Sequence, residues 1–132
     1  MRKRRIAAGI VLLLMLCAAG CSKYTSSYKA VGFVHSNTAE AASMSFFTFR
    51  GTIAFKLLNG KADAGLVCKG KLDSGELTAY YDCGGGKTEL FTLRGGGTTD
   101  TFVGGLPGGK VWIVVETDGE CENGDLVFAI EG

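Results

Sequence analysis

Five cysteines, one histidine and a run of closely spaced acids are the residues of this 132-residue chain whose chemistry goes beyond packing. His35 and Ser36 set a base beside a hydroxyl. Nucleophilic catalysis also needs a group that orients the base, and none accompanies them. Gly86-Lys87-Thr88 carries the last letters of a phosphate-binding loop. The loop's first glycine is missing at the required spacing, and strand-like residues follow Lys87. Gly84-Gly85-Gly86-Lys87 and Gly95-Gly96-Gly97 therefore read as hairpin turns. Asp118, Glu120, Glu122 and Asp125 bring oxygen donors close together, as Ca²⁺ requires. Their glycines do not fall as in an EF-hand, and a solvated hairpin loop is the preferred reading. No Cys or His spacing fits zinc. No metal, cofactor or enzymatic activity is expected. Tyr80, Tyr81 and Trp112 are the aromatic residues available to stack on a sugar, and alternation turns Tyr80 away from Leu77 and Ala79, toward solvent.

The first residues give Cys21 its context. Arg2, Lys3, Arg4 and Arg5 form a cationic start, and Ile6 to Cys17 is an apolar run. That run is shorter than the roughly 20 residues a helix needs to cross a bilayer, and it has the length of a secretory signal. Ala18, Ala19 and Gly20 follow, small enough for a peptidase to reach the backbone, and Cys21 then offers a thiol for acylation. Ala18-Ala19-Gly20-Cys21 resembles the bacterial lipobox, with Ala18 where leucine is usual. The resemblance implies a signal peptide over 1–20, lipidation of Cys21, and a protein held in the cell membrane or outer membrane through lipid, facing the extracytoplasmic side. Acyl chains on one cysteine suffice for this, since each buried methylene contributes about 0.8 kcal/mol. Ser22 after the cysteine resembles the signal for release to an outer membrane. Simple secretion and an uncleaved anchor are the alternatives.

Removal of the four basic leader residues from the 14 Lys and Arg leaves ten against 13 Asp and Glu, a net charge of about −3. A nucleic-acid partner needs a basic footprint, which this chain lacks. Cys68, Cys83 and Cys121 remain, in a compartment where disulfides persist. If Gly75-Glu76 is a two-residue hairpin turn, Cys68 falls opposite Cys83, and this is the first expected pairing. Cys68 with Cys121 is the second, and three free thiols the third.

The elements that must position these residues are strands. Residues 21–43 begin as a Ser- and Thr-rich tether, with strand-like residues from Tyr28 to Val34 and room for one helical turn from Thr38 to Ser43. From Met44 to the end of the chain, at 132, the period is two and glycine turns recur at roughly 8–12 residues, which predicts an antiparallel β-sandwich, jelly-roll-like, over 44–132. Strands are expected from Met44 to Leu58, Ala64 to Leu72, Leu77 to Cys83, Thr88 to Arg94, Thr99 to Val103, Val111 to Glu116 and Leu126 to Ile130. The expected core draws on Phe47, Phe49, Ile53, Phe55, Leu66, Leu77, Ala79, Leu90, Leu93, Val111, Ile113, Val115, Val127 and Ala129.

The Lys71–Tyr81 segment, the Pro107-Gly108-Gly109 entry to Val111–Glu116 and the Gly124–Ile130 closing strand resemble bacterial pre-peptidase C-terminal-type domains. That resemblance implies a sandwich acting as an accessory or binding module, with no active-site residue. Two functions follow: a binding module for an envelope or extracellular ligand, which requires an apolar or aromatic patch on one sheet, and an envelope-assembly lipoprotein, which requires an open edge strand.

Overall fold

The computed structural model describes residues 24–131. The expected signal peptide and the expected lipidation position, Cys21, lie outside the described residues. Among the described residues seven strands form one antiparallel sheet: β1 (Ser27–Val31), β2 (Val34–Asn37), β3 (Ala41–Asn59), β4 (Ala64–Asp82), β5 (Thr88–Arg94), β6 (Gly97–Leu106) and β7 (Gly109–Glu131). β7 runs between β3 and β4. β1 and β2 follow one another along the outer side of β3, and β5 and β6 do the same along β4.

The sandwich arises because the three long strands bend. Layer I holds β2, 41–49 of β3, 121–131 of β7, 64–74 of β4, and β6. Layer II holds 52–59 of β3, 109–118 of β7, 76–82 of β4, and β5. β1 pairs with β3 at the bend. The layers face each other across a single core. Phe91 of layer II lies parallel to Phe128 of layer I, with ring centroids 6.1 Å apart.

Bulges make the bends. In β3 the register shifts between Phe49 and Thr52, where Gly51 takes φ 127°. In β4 it shifts between Ser74 and Glu76, where Gly75 takes φ 98°. Only glycine fits these two places. A Cβ at Gly51 would lie 2.7 Å from Tyr28 Cα, and one at Gly75 would lie 2.7 Å from the Glu120 carbonyl oxygen. At each shift β7 advances two residues more than its partner, and across the bend the inward parity of β3 and β4 flips. Ala42, Met44 and Phe46 point inward before the β3 bulge, and Phe49, Ile53, Phe55 and Leu57 at and beyond it.

Several expectations change here. Gly75-Glu76 is a bulge inside one strand, so the Lys71–Tyr81 hairpin does not form. Ser74 and Glu76 stay paired with Glu122 and Asp118 of β7 across the bend. The 117–124 loop is likewise strand, because β7 continues from Gly109 to Glu131. The sheet begins at Ser27, ahead of Met44, and β3 begins at Ala41, where a helical turn was expected. Phe47 and Val127 face solvent, at 58% and 48% exposed, whereas Phe46, Leu126 and Phe128 take the core. Ile53, Phe55, Leu66, Leu77, Ala79, Leu93, Val111, Ile113 and Val115 are buried as expected, and Leu90 and Ala129 are half-buried.

The outer edge of β3 is closed by polar groups. Ala54 N–H donates to Ser26 Oγ (3.0 Å), Lys56 N–H to Asn37 Oδ1 (3.3 Å) and Leu58 N–H to the Ala39 carbonyl (2.6 Å). These bonds satisfy donors that would otherwise template another strand. At the same end buried Asn59 accepts from Lys61 N–H and donates to the Pro107 carbonyl, joining two turns.

Candidate functional site

The two outer faces differ in what they present. On layer II the outward residues of β7 are Trp112, Val114 and Glu116, and those of β4 include Thr78 and Tyr80. Tyr80 stands opposite Val114, which places Tyr80 and Trp112 diagonally on the same face. Tyr24 crosses onto it. Its ring meets Trp112 edge-on, with centroids 5.7 Å apart, and its hydroxyl donates to Asp82 Oδ2 at 2.6 Å. Asp82 is 1% exposed, and its Oδ1 also accepts from the backbone N–H of Gly84 (2.6 Å) and Gly86 (3.2 Å). The hydrogen bond to the Asp82 carboxylate keeps the proton on Tyr24, and burial adds to this, so its hydroxyl is pushed up to about 12. Lys87 Nζ bonds Glu116 Oε2 at 2.8 Å and lies 4.3 Å from the Tyr80 ring centroid. The Glu116 bond holds the Lys87 ammonium above its ordinary range. Each charged group of this cluster therefore has a partner.

The outer face of layer I is apolar at its centre. β7 offers Val127 and Ala129, β4 offers Val67, and β6 offers Phe102. Val67 pairs with both Ala129 and Phe102, so these side chains adjoin. Phe102 lies against Gly65, where no side chain intervenes, and is 67% exposed. Lys69, Lys71, Asp100 and Asp125 border the patch, with Lys71 and Asp125 3.7 Å apart. β6 pairs with β4 on one side, and no strand covers its other side among the described residues.

The expected disulfides are absent: Cys68, Cys83 and Cys121 are free. Cys68 and Cys83 do not face each other, because no hairpin turns between them; Cys68 stands opposite Thr101 and Phe128. Cys121 is seven positions from Phe128 along β7, roughly 23 Å at a strand's rise per residue, and a disulfide needs Cα atoms within about 7 Å. Burial pushes the Cys68 thiol up to about 12. Burial raises Cys121 as well, and its S–H donates to the Glu76 carbonyl at 3.3 Å. Cys83 is half-buried and is raised by burial and by the Asp82 charge.

The calcium set is also dispersed. Asp118, Glu120, Glu122 and Asp125 are strung along β7 through the bend, opposite Glu76, Ser74 and Lys71 rather than around a common point. Among the described residues no group of three or more His, Cys, Asp or Glu is placed to hold a metal ion. His35 is exposed and rests one face on Phe33, with centroids 5.0 Å apart, with Phe55 at 6.4 Å. Tyr24 and Asp82 were not among the candidates. The one local signal was Asp82 ahead of a glycine run, since an Asp commonly bonds backbone two residues on.

No protein-family profile matches the chain, and no curated protein matches it. Several solved structures are similar to the chain at low identity. The periplasmic inhibitor of g-type lysozyme from Aeromonas hydrophila, PliG, is 19% identical over 70% of this chain and 88% of its own, with a TM-score of 0.49. The carbohydrate-binding module TmCBM61, solved with β-1,4-galactotriose, is 13% identical over 85% and 72%, with a TM-score of 0.44. A family 6 carbohydrate-binding module from Clostridium cellulolyticum, solved with xylose, is 16% identical over 78% and 89%, with a TM-score of 0.39.

Proposed function

We propose that this chain is a lipid-anchored, extracytoplasmic binding module without enzymatic activity, and that its ligand meets the outer face of layer I. The lipobox-like Ala18-Ala19-Gly20-Cys21 supports the anchor. One observation carries the binding reading: Phe102, Val67, Ala129 and Val127 form a contiguous apolar patch, with Phe102 and Val127 67% and 48% exposed, inside a border of both charge signs. Contiguous apolar surface rimmed by charge marks interaction sites more often than chance placement. The ligand is an envelope or extracellular component with apolar surface of its own.

Phe102→Asp tests this. Phe102 packs on the outside, so stability should change little, within about 0.5 kcal/mol. Titration with soluble envelope glycan fragments and with envelope peptides, followed by NMR, should shift signals of Val67, Val127 and Ala129 and lose those shifts in Phe102→Asp. Shifts confined to layer II would place the ligand elsewhere and end this reading. The open side of β6 favours a second reading, an envelope-assembly protein that pairs through that edge. A photo-crosslinker on the open edge of β6 in cells should then yield one defined protein adduct that survives Phe102→Asp, whereas the binding-module reading loses any adduct in that variant.

A further inference from the structure

We propose that the outer face of layer II rests on the membrane that holds the acylated Cys21, so that layer I points away from the bilayer. This orientation depends on the anchoring reading above. It starts from chain length. Cys21 precedes Tyr24 by three residues, and three extended residues reach about 10 Å. Tyr24 is fixed to layer II twice, by its ring on Trp112 and by its hydroxyl on buried Asp82. The free length between lipid and domain is therefore these three residues. The polar stretch that continues past Tyr24 is committed to the sheet: Ser26 accepts from Ala54 N–H, and β1 begins at Ser27. Acyl chains inserted in a bilayer must then draw the Trp112 side of layer II to the headgroups.

The surface that would arrive there suits a headgroup region. Lys56 pairs with Trp112, and Leu58 pairs with Lys110, in adjacent rows beside Tyr24. Lys56, Lys110 and Leu58 are exposed. Neither lysine has an ion-pair partner among the described residues, whereas Glu116 is held by Lys87. Tyr and Trp beside lysines form the combination that settles at the boundary between headgroups and acyl chains. The opposite face carries both charge signs and Phe102, and it would stay free for a ligand.

Trp112 is the sole tryptophan, so the protein carries its own probe. The lipidated full chain is reconstituted in phosphatidylcholine–phosphatidylglycerol vesicles containing a headgroup nitroxide lipid. Trp112 emission should be lost to the nitroxide and be shielded from aqueous iodide, relative to the Cys21→Ser protein in buffer. The double variant Trp112→Phe, Phe102→Trp should show the reverse: full iodide quenching and little loss to the nitroxide. Tyr24→Ser frees the link between lipid and domain, and its Trp112 emission should recover. Equal nitroxide quenching from positions 112 and 102, or iodide access to Trp112 unchanged by vesicles, would overturn the orientation. Intact mass separates the two levels. Acyl mass with no nitroxide effect on Trp112 sinks the orientation alone, whereas absence of acyl mass sinks it together with the anchor.

Discussion

Asp82 is the residue on which the layer II cluster turns. A carboxylate at 1% exposure is costly unless its lone pairs are filled. Here Tyr24 O–H and the N–H groups of Gly84 and Gly86 fill them, and in doing so they fix the start of the described chain and the β4–β5 turn to one point. Charge-assisted bonds of this kind are the stronger ones. The bond also has a pH signature. Tyrosine in the unfolded chain releases its proton near 10, whereas Tyr24 in the fold keeps it up to about 12, because its hydroxyl donates to Asp82. The folded state thus holds a proton that the unfolded chain has lost. That contribution is whole below pH 10, and it fades as pH rises from 10 toward 12. Tyr24→Phe keeps the ring on Trp112 and removes only the bond. It should lower stability by about 1 kcal/mol near neutral pH, a modest value because the tyrosine is partly exposed. Urea denaturation of both proteins from pH 7 to about 12 should show the gap closing at the alkaline end. A gap constant with pH would mean that the hydroxyl bond contributes nothing.

At the scale of elements, the bends decide the architecture. β3, β4 and β7 each belong to both layers, so a fault at a bend disturbs both halves of the core. Thr117 braces the β3 bend: its Oγ1 accepts from Gly51 N–H at 2.8 Å and lies 3.4 Å from the Gly51 carbonyl. Thr117→Val keeps the shape and deletes this bond, for a loss of about 1–2 kcal/mol. Gly75→Ala should cost more, about 2–4 kcal/mol, because it adds a Cβ to a positive-φ residue pressed against the Glu120 carbonyl and Cys121. Thermal or urea unfolding would measure both, and equal effects from the two substitutions would mean that packing at Gly75 relaxes freely. These bulges also explain what was legible in the sequence. β5 reads at its observed bounds, Thr88–Arg94, because glycine-rich turns flank it on both sides, although Leu90 is an extra residue in its ladder with β4. β4 and β7 read as two strands each, because Ser74-Gly75-Glu76 and the 117–124 stretch carry the residue types of turns while remaining in the ladder. Phe46 and Phe47 exchange roles beside the bend. Phe46 and Phe49 both enter the core although the register between them is unbroken, because the strand turns into the bend at Phe49, just before the shift. The outward position of Tyr80 followed from alternation, since no bulge separates it from Ala79 on the β7 side. The Tyr24–Asp82 contact left no such trace, because it joins residues 58 apart through tertiary structure alone.

For the whole molecule, charge and anchor have to be weighed together. From Cys21 onward the chain carries ten basic and 13 acidic residues, so that part is repelled on average by an anionic surface. Lys56 and Lys110 can each contribute about 1 kcal/mol at such a surface, enough to orient a molecule already held there and too little to hold it. Two or more acyl chains supply stable attachment, whereas one chain alone gives only marginal binding. Attachment and orientation therefore separate experimentally. Cys21→Ser removes the thiol that would take the lipid and leaves every described residue unchanged. The variant should pass from the membrane fraction to the soluble fraction, while the parent protein stays with the membrane through a high-salt wash, because salt screens lysines and leaves acyl chains in place. The Lys56→Glu, Lys110→Glu double variant should also stay with the membrane. A Cys21→Ser protein that remained membrane-bound after the salt wash would point to the apolar run from Ile6 to Cys17 as a retained anchor. The leader would then hold the domain, and the short link from Cys21 to Tyr24 would no longer set which face meets the bilayer.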